Sequence, residues 1–372
     1  MCHGHPGAGA PFHPAFIDAT PLLDSLGPHG PDMANPQDST GHYAILFDAD
    51  GEDRNLALDE LAGLQTDESQ LLWVDLRAPD ADTLDKVWQV FELPERSRMA
   101  IDKDATEPAL GKNGDVFWVR VTALAGDQQE DDAKARRDAR ARPKGLVLAI
   151  IAGKRFVLTV HDEPVEHLDE QRNREDVDSH VGALSAESFT VALLDWQLST
   201  YFDAVADFEL EIERLEVSIL SERRLDCLSQ LRQLRKGASR LRRMLAQHRV
   251  VFDGMSRPDF RPTEGKDADR HFEKLDIHFE RAMDVVENAR ELVVGSFELF
   301  SSQTALQTNK SMAILTFATV VLGMLAVLAG ILGMNFDAAF FDTKTPGFMV
   351  AAGAMLLLGI VALVIGRMRH WF

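Results

Sequence analysis

The sequence predicts an α+β membrane protein, with an N-terminal α/β domain, a long helical stalk bundle and two C-terminal transmembrane helices. Three observations predict it. Two uncharged apolar runs, Met312 to Leu332 and Gly347 to Gly366, lie in tandem near the end of the chain. Each is about long enough to cross a ~30 Å hydrocarbon core at ~1.5 Å per residue. Before them come three apolar series with helical spacing, and before those come short β-branched and aromatic runs bounded by turn residues.

Taken in order, residues 1–40 are rich in Gly, Pro and His and read as a disordered tail. Met1 to Ala15 has no basic start and no apolar stretch of signal length, so residues before the spans are expected to stay in the cytoplasm. Cys2 and Cys227 are the only cysteines, which gives no disulfide framework. Lys310 precedes the first span and Arg367 and Arg369 follow the second, whereas the intervening loop sets Lys344 against Asp337 and Asp342. That bias also places both termini in the cytoplasm. The net charge of −20 argues against a nucleic-acid partner, because phosphate binding needs cations.

Tyr43 to Asp48, Leu71 to Leu76, Asp115 to Leu124, Gly145 to Ala152 and Arg155 to His161 read as strands, with Gly153-Lys154 as a two-residue turn. Ala81 to Phe91 and Glu95 to Ile101 read as helices, and Asp127 to Lys144 as an exposed hairpin insertion. Together they make an α/β domain over 41–184. From 185 the period is helical. Val205, Phe208, Ile212, Leu215 and Ile219 form one series and Leu231, Leu234, Ala238, Leu241 and Leu245 a second. The polar stretch Ser221 to Asp226 between them makes 185–268 an antiparallel helix pair. Pro258 and Pro262 break the chain. A third series runs through Phe272, Leu275, Phe279, Ala282, Val286, Ala289, Val293 and Phe300. No break separates it from the first apolar run, so 269–332 reads as one helix of ~95 Å, with 312–332 in the membrane. A turn and outer loop (333–346), a second span (347–366) and a basic tail (367–372) complete the chain.

Thr319, Gly323, Ala326, Gly330 and Gly333 recur at steps of four and three and form a stripe of small residues on the first span. Phe317, Val320, Met324, Leu325, Leu328 and Leu332 are expected on the opposite surface. The stripe continues back through Leu315, Met312 and Asn309. Spacing leaves two readings open. The stripe lets the two spans pack closely, or it lines a pore in which Met312 and Leu315 make an apolar constriction. Elsewhere, Cys2, His3, His5 and His13 are metal-ligating types in a tail without preformed geometry. His161-Asp162-Glu163 sits at a strand end and reads as a turn. No Walker loop, nucleophile elbow or His-Glu-x-x-His motif occurs, so nothing makes a case for an enzyme or a resident cofactor.

Gly333-Met334-Asn335 ends the first span, where a glycine reads as a helix cap. Its setting is the specific feature. Thr308-Asn309 stands before the span, Gly330 to Phe336 closes it, a brief loop follows, and the chain finishes Arg367-Met-Arg-His-Trp-Phe372. From about Tyr43 to Phe372 the chain resembles the CorA family of divalent cation channels and transporters, which includes the ZntB-type zinc transporters. The resemblance implies a funnel-shaped homopentamer in the cell membrane (the inner membrane of a Gram-negative cell). Its α/β domains would be cytoplasmic. The long helix would line an axial pore, with Asn309 facing the pore near its cytoplasmic mouth and Gly333, Met334 and Asn335 ringing the outer mouth. The partners implied are further copies of the chain, the lipid bilayer and the transported divalent cations. Asp337 and Asp342 would concentrate cations before entry. Magnesium-carrying members often have a Pro and polar residues midway down the first span, where this chain has Gly323, Met324 and Ala326. Their regulatory acidic position falls at Lys274, with Glu273 and Asp276 as substitutes for holding a regulatory metal. Those departures lean towards zinc, while the Met in Gly-Met-Asn is the magnesium spelling. The cargo is left between Zn²⁺ and Mg²⁺, with Co²⁺ and Ni²⁺ alongside. A non-conducting membrane-anchored sensor or scaffold is the alternative from another class.

Overall fold

The computed structural model describes residues 41–102, 104–124, 143–165, 168, 180–221, 227–257, 260, 266–334 and 345–368. The expected tail at 1–40, most of the insertion at 127–144, Pro258, Pro262 and the final Arg369 to Phe372 lie outside them.

The strands are β1 (His42–Asp48), β2 (Arg54–Leu56), β3 (Gln70–Arg77), β4 (Ala109–Asn113), β5 (Val116–Leu124), β6 (Gly145–Ala152) and β7 (Phe156–His161). They form one sheet in the order β2-β1-β3-β7-β6-β5-β4. Only β3 and β7 run parallel, with Leu72 opposite Phe156. The central strands are almost continuously apolar because both faces are covered. Ala44, Leu46, Leu72, Val74 and Leu76 face one core with Val87 and Trp88 of α1 (Ala81–Val90). Ile45, Phe47, Leu71 and Trp73 face another, built with the helices that follow. Helix α1 starts where the Asp80 carboxylate accepts from Thr83 N at 2.7 Å, which satisfies one of the free first-turn amides.

Four points differ from the sequence reading. β2 and β4 were not expected; both are short, and Gly111 and Asn113 in β4 carry little strand signal. Glu95–Ile101 is a 3₁₀ helix. The β6–β7 turn is one residue later, because Gly153 N bonds Phe156 O at 3.0 Å and leaves Lys154-Arg155 as the loop. A further helix, α4, stands before the prolines.

The helices are α2 (Ala186–Leu220), α3 (Cys227–Gln247), α4 (Arg249–Met255), α5 (Lys266–Leu332) and α6 (Thr345–Met368). The three apolar series are buried at every position except Phe300, which is half-buried. Cross-helix bonds set the directions. His271 meets Ser188 at 3.0 Å and His278 meets Asp195 at 2.7 Å, so α2 and α5 run parallel. Arg242 pairs with Glu287, and Arg249 with Glu280 at 2.6 Å, so α3 and α4 run antiparallel to α5. Phe252 of α4 stacks on Phe279 of α5 with ring centres 4.6 Å apart. The chain divides into two compact units: Met1–Glu213 with Leu228–Val293, and Arg214–Cys227 with Val294–Phe372.

In the first unit the sheet and helices meet at Thr122. β4 ends opposite Arg120, which leaves the outward amide and carbonyl of Thr122 without a strand partner. His248 Nε2 accepts from Thr122 N at 2.8 Å, and Gln197 Nε2 and Tyr201 Oη donate to its carbonyl at 2.7 and 3.1 Å. His248 Nδ1 lies 2.8 Å from Met244 O and donates to it, which fixes a neutral ring. Burial lowers its pKa from the ordinary 6.5 to about 4, against the opposing pull of these bonds. Unfolded His248 therefore takes up a proton that the folded ring refuses. Stability is complete above about 6.5 and is lost as pH falls towards 4, by up to about 3 kcal/mol. Melts of the detergent-solubilised chain between pH 7 and pH 4 should show this loss, and in a His248→Asn variant that share of the slope should vanish.

Candidate functional site: the first span and its turn

Helix α5 carries water-soluble and membrane-type sequence without interruption. Its segment before 294 buries Phe272 to Val293 in protein. The segment from Met312 holds no charge, and it and α6 are the helices apolar and long enough to span a bilayer among the described residues. Lys310 and Arg367 flank them and are exposed. A lysine or arginine at such a boundary keeps its charge in water while its stem lies on the apolar surface.

Burial on the span follows one face. Ile314, Phe317, Val321, Leu325, Leu328 and Leu332 are half-buried, and the residues around them are exposed. On α6 the covered positions are Gly347, Ala351, Met355, Leu358, Gly359, Ala362 and Gly366, again one face. Both spans belong to the same compact unit. The bulky residues of the first face and the mostly small residues of the second have the complementary composition by which membrane helices pack. Of the residues expected opposite the stripe, Phe317, Leu325, Leu328 and Leu332 are half-buried and Val320 and Met324 are exposed. The small stripe of the first span does not pack on the second. Thr319, Gly323, Ala326, Gly330 and Gly333 are all exposed, as are Asn309, Met312 and Leu315. A side chain added at Gly323 or Gly330 would meet nothing within 4 Å, and the same holds at Gly359 of α6.

The polar groups of the stripe are oriented by the helix. Thr319 Oγ1 donates to Leu315 O at 2.8 Å, and earlier on the helix Thr304 and Thr308 donate likewise to Phe300 O and Thr304 O at 2.8 and 2.9 Å. Each hydroxyl hydrogen is spent on the helix, so the oxygen is left as an acceptor. At the outer end Gly333 N still bonds Ala329 O at 2.9 Å, and Met334 N bonds Ile331 O at 3.2 Å. The left-handed glycines among the described residues are Gly41, Gly63 and Gly114. Gly333 thus caps the helix as the sequence reading expected, with a backbone that is not left-handed. Asn335, Asp337 and Asp342 lie outside the described residues.

Of the expected regulatory pair, Glu273 is exposed and Asp276 half-buried on α5. Burial raises the Asp276 carboxyl above the ordinary carboxylate range, with Asp253 and Glu280 adding to the rise and Arg249 opposing it. Its Oδ1 is buried without a hydrogen bond. Among the described residues no three His, Cys, Asp or Glu side chains are grouped to hold a metal. His161 is buried at the end of β7, with Nε2 3.2 Å from Asp75 Oδ2 and Nδ1 2.6 Å from Glu163 O. Thr159 joins Asp75 from the same face and accepts from Trp73 Nε1 at 3.1 Å. Sequence reasoning missed this satisfied polar cluster, because its members come from separate strands.

A soluble α/β unit, one helix running from it into a two-span hairpin, and a small uncovered stripe on the first span define a membrane protein of the two-span, stalked class. The family profile described as CorA-like Mg2+ transporter protein matches residues 68–369, and the chain belongs to that family. A curated relative, the cobalt/magnesium transport protein CorA of Thermotoga maritima, is 25% identical over 186 residues, 50% of this chain and 53% of that protein. The alignment thus spans about half the length of that relative. Among solved structures, the complete CorA magnesium transporter of Methanocaldococcus jannaschii has a TM-score of 0.64 at 19% identity, covering 88% of this chain and 98% of that one. The full-length CmaX protein also scores 0.64 at 19% identity, covering 91% and 100%. These likenesses show the shared fold.

The packing of the two spans makes a testable distinction. Ala362→Leu on the covered face of α6 is expected to overpack it and cost about 1–3 kcal/mol. Leu363→Ala on the uncovered face should leave the melting temperature in detergent near that of the unmodified chain.

Proposed function

We propose that this chain passes divalent metal cations across the cell membrane through an axial pore formed by five copies of itself. The observation that carries the reading is the uncovered small stripe. In lipid alone there is no reason to keep Thr319, Gly323, Ala326 and Gly330 together on the face that the second span leaves bare. Around a symmetry axis there is one: small residues leave room for a hydrated ion, and threonine oxygens accept from its water. Below them Met312 and Leu315, exposed and apolar, would meet their equivalents and form a constriction that closes by excluding water. Leu292, Val294 and Phe297 are also exposed on α5, as expected of a helix that other copies cover. In this arrangement both termini are cytoplasmic.

The stripe has no carboxylate, and this bears on release. Mg²⁺ prefers oxygen ligands and gives up its water reluctantly. Amide and carbonyl oxygens at Gly333, Met334 and Asn335 would hold the hydrated ion without the grip of a charged cage, and Asp337 and Asp342 would raise its concentration outside. The similarity to a cobalt/magnesium transport protein favours Mg²⁺ and Co²⁺ as cargo. Zn²⁺ and Ni²⁺ belong in the same comparison because the middle of the span lacks polar side chains other than Thr319.

Uptake of Mg²⁺, Co²⁺, Zn²⁺ and Ni²⁺ into proteoliposomes, compared side by side, tests the proposal. Asn335→Ala is expected to abolish selective uptake. Asn335→Asp should slow turnover by binding ions too tightly, and both variants should still assemble at the size of a pentamer. Wild-type rates in Asn335→Ala would make the turn only a helix end. Leu315→Asp should wet the constriction and raise leak, and unchanged flux would place the gate elsewhere. A stable monomer or dimer across mild detergents would sink the pore.

A further inference from the structure

The two helices that flank α5 carry opposite charge. Between Asp203 and Glu213, α2 has five acidic residues and no basic one. From Cys227 to Gln247, α3 has six basic residues and no acidic one. Arg242 is spent on Glu287 of α5. Arg232, Lys236, Arg240 and Arg243 fall on the side of α3 away from its buried series. All four are exposed and have no ion-pair partner among the described residues. On α2, Asp203, Glu209 and Glu213 are exposed. Partial desolvation, with the Asp207 charge adding to it, holds the Asp203 carboxyl above the ordinary carboxylate range. Solubility is served by charges of both signs interspersed, so it does not account for two segregated rows.

The bonds along α5 fix where the rows stand. His271 to Ser188 and His278 to Asp195 keep one register, which places Asp203 level with Val286. Arg242 to Glu287 places Arg243 level with the same residue. Because α2 runs parallel to α5 and α3 antiparallel, both rows extend from Val286 towards the C-terminal end of α5, over about 15 Å at ~1.5 Å per residue. They also lie on opposite flanks. At about 3.6 residues per turn, His271 and His278 stand roughly half a turn around α5 from Glu280 and Glu287. Rotation about an axis along α5 keeps heights unchanged and sets one flank of each copy against the other flank of the next, a heterologous contact that closes into a ring. We propose that the basic row of α3 docks on the acidic row of α2 in the next copy of this chain. The inference rests on the assembly proposed above and names the surfaces that join its copies. Opposite rows steer the two flanks together, and like rows repel when α3 meets α3 or α2 meets α2. The charge pattern therefore favours a ring over a two-fold pairing of either flank with itself.

The test uses the full chain in detergent micelles and needs no ion. Arg232→Glu, Lys236→Glu, Arg240→Glu and Arg243→Glu together are expected to raise the concentration of half-dissociation about tenfold or more at low salt. The difference should shrink in about 1 M salt, where the Debye length is about 3 Å. Adding Asp203→Lys, Glu209→Lys and Glu213→Lys should restore assembly, because the rows then meet with their signs exchanged. A second measurement does not depend on the reversed variants folding. In Cys2→Ser protein, Arg243→Cys combined with Asp203→Cys should form disulfides between copies under copper–phenanthroline. The product is a ladder on denaturing gels that neither change gives alone. An assembly that ignores the reversal and gives no ladder overturns the contact, keeps the five-copy pore and leaves the α3 row to a soluble anion. A loss that the α2 changes do not restore, again without a ladder, also overturns it. An unmodified chain that runs as a monomer removes the pore reading itself, and the contact with it.

Discussion

One hydrogen-bonded helix, Lys266–Leu332, has to satisfy two solvents, and the other elements follow from that. At ~1.5 Å per residue it is ~100 Å long, far beyond what an isolated helix sustains in water. Before Val294 the helix therefore buries a continuous apolar seam in protein. Beyond Lys310 the hydrophobic requirement is met by lipid, and side-chain packing need cover only one face. The loss of seam burial after Val293 and the loss of charge after Lys310 are successive responses of one helix to this change of surroundings.

The joint between sheet and helices shows how the first unit becomes rigid. A sheet edge that stops short exposes backbone groups, and Thr122 has both of its own turned outward. Three side chains from the helical layer bond them. A neutral His248 is the right residue because one ring nitrogen must accept while the other donates. Such a bond ties strand to helix by geometry, whereas apolar contacts alone would let them slide. The same unit holds a second polar group, Asp75, Thr159 and His161, at the carboxyl ends of its parallel strands. Buried polar groups of this kind are costly unless satisfied, and each of these side chains has a partner.

The elements legible from sequence were those where one signal dominates. The apolar spans, the heptad helices and the five inner strands were readable, because periodicity and length leave few alternatives. The edge strands were not: Arg54–Leu56 and Ala109–Asn113 are stabilised by their neighbours and carry little preference of their own. In the span, spacing alone located the small stripe, yet the stripe has the same composition whether it packs on the second helix or faces away. The exposure of the stripe at Thr319, Gly323, Ala326, Gly330 and Gly333 decides this, which no pattern on the first span could disclose. Gly333 was legible for the same reason as the spans: a glycine after an apolar run reads as a cap, and the helix ends there.

The distribution of charge fits this division of the span into two faces. The chain carries 59 acidic and 39 basic residues, yet none lies between Met312 and Leu332. A carboxylate on the bare face would be expensive in hydrocarbon and would hold a divalent ion tightly. On the covered face it would need a partner that the small residues of α6 cannot supply. Neither face of the span carries a charge. What remains on the bare face is oxygen without formal charge, at Thr319 and in the helix backbone. Among the described residues, acidic side chains other than the buried Asp75 and Glu187 are exposed or half-buried, where a charge costs little.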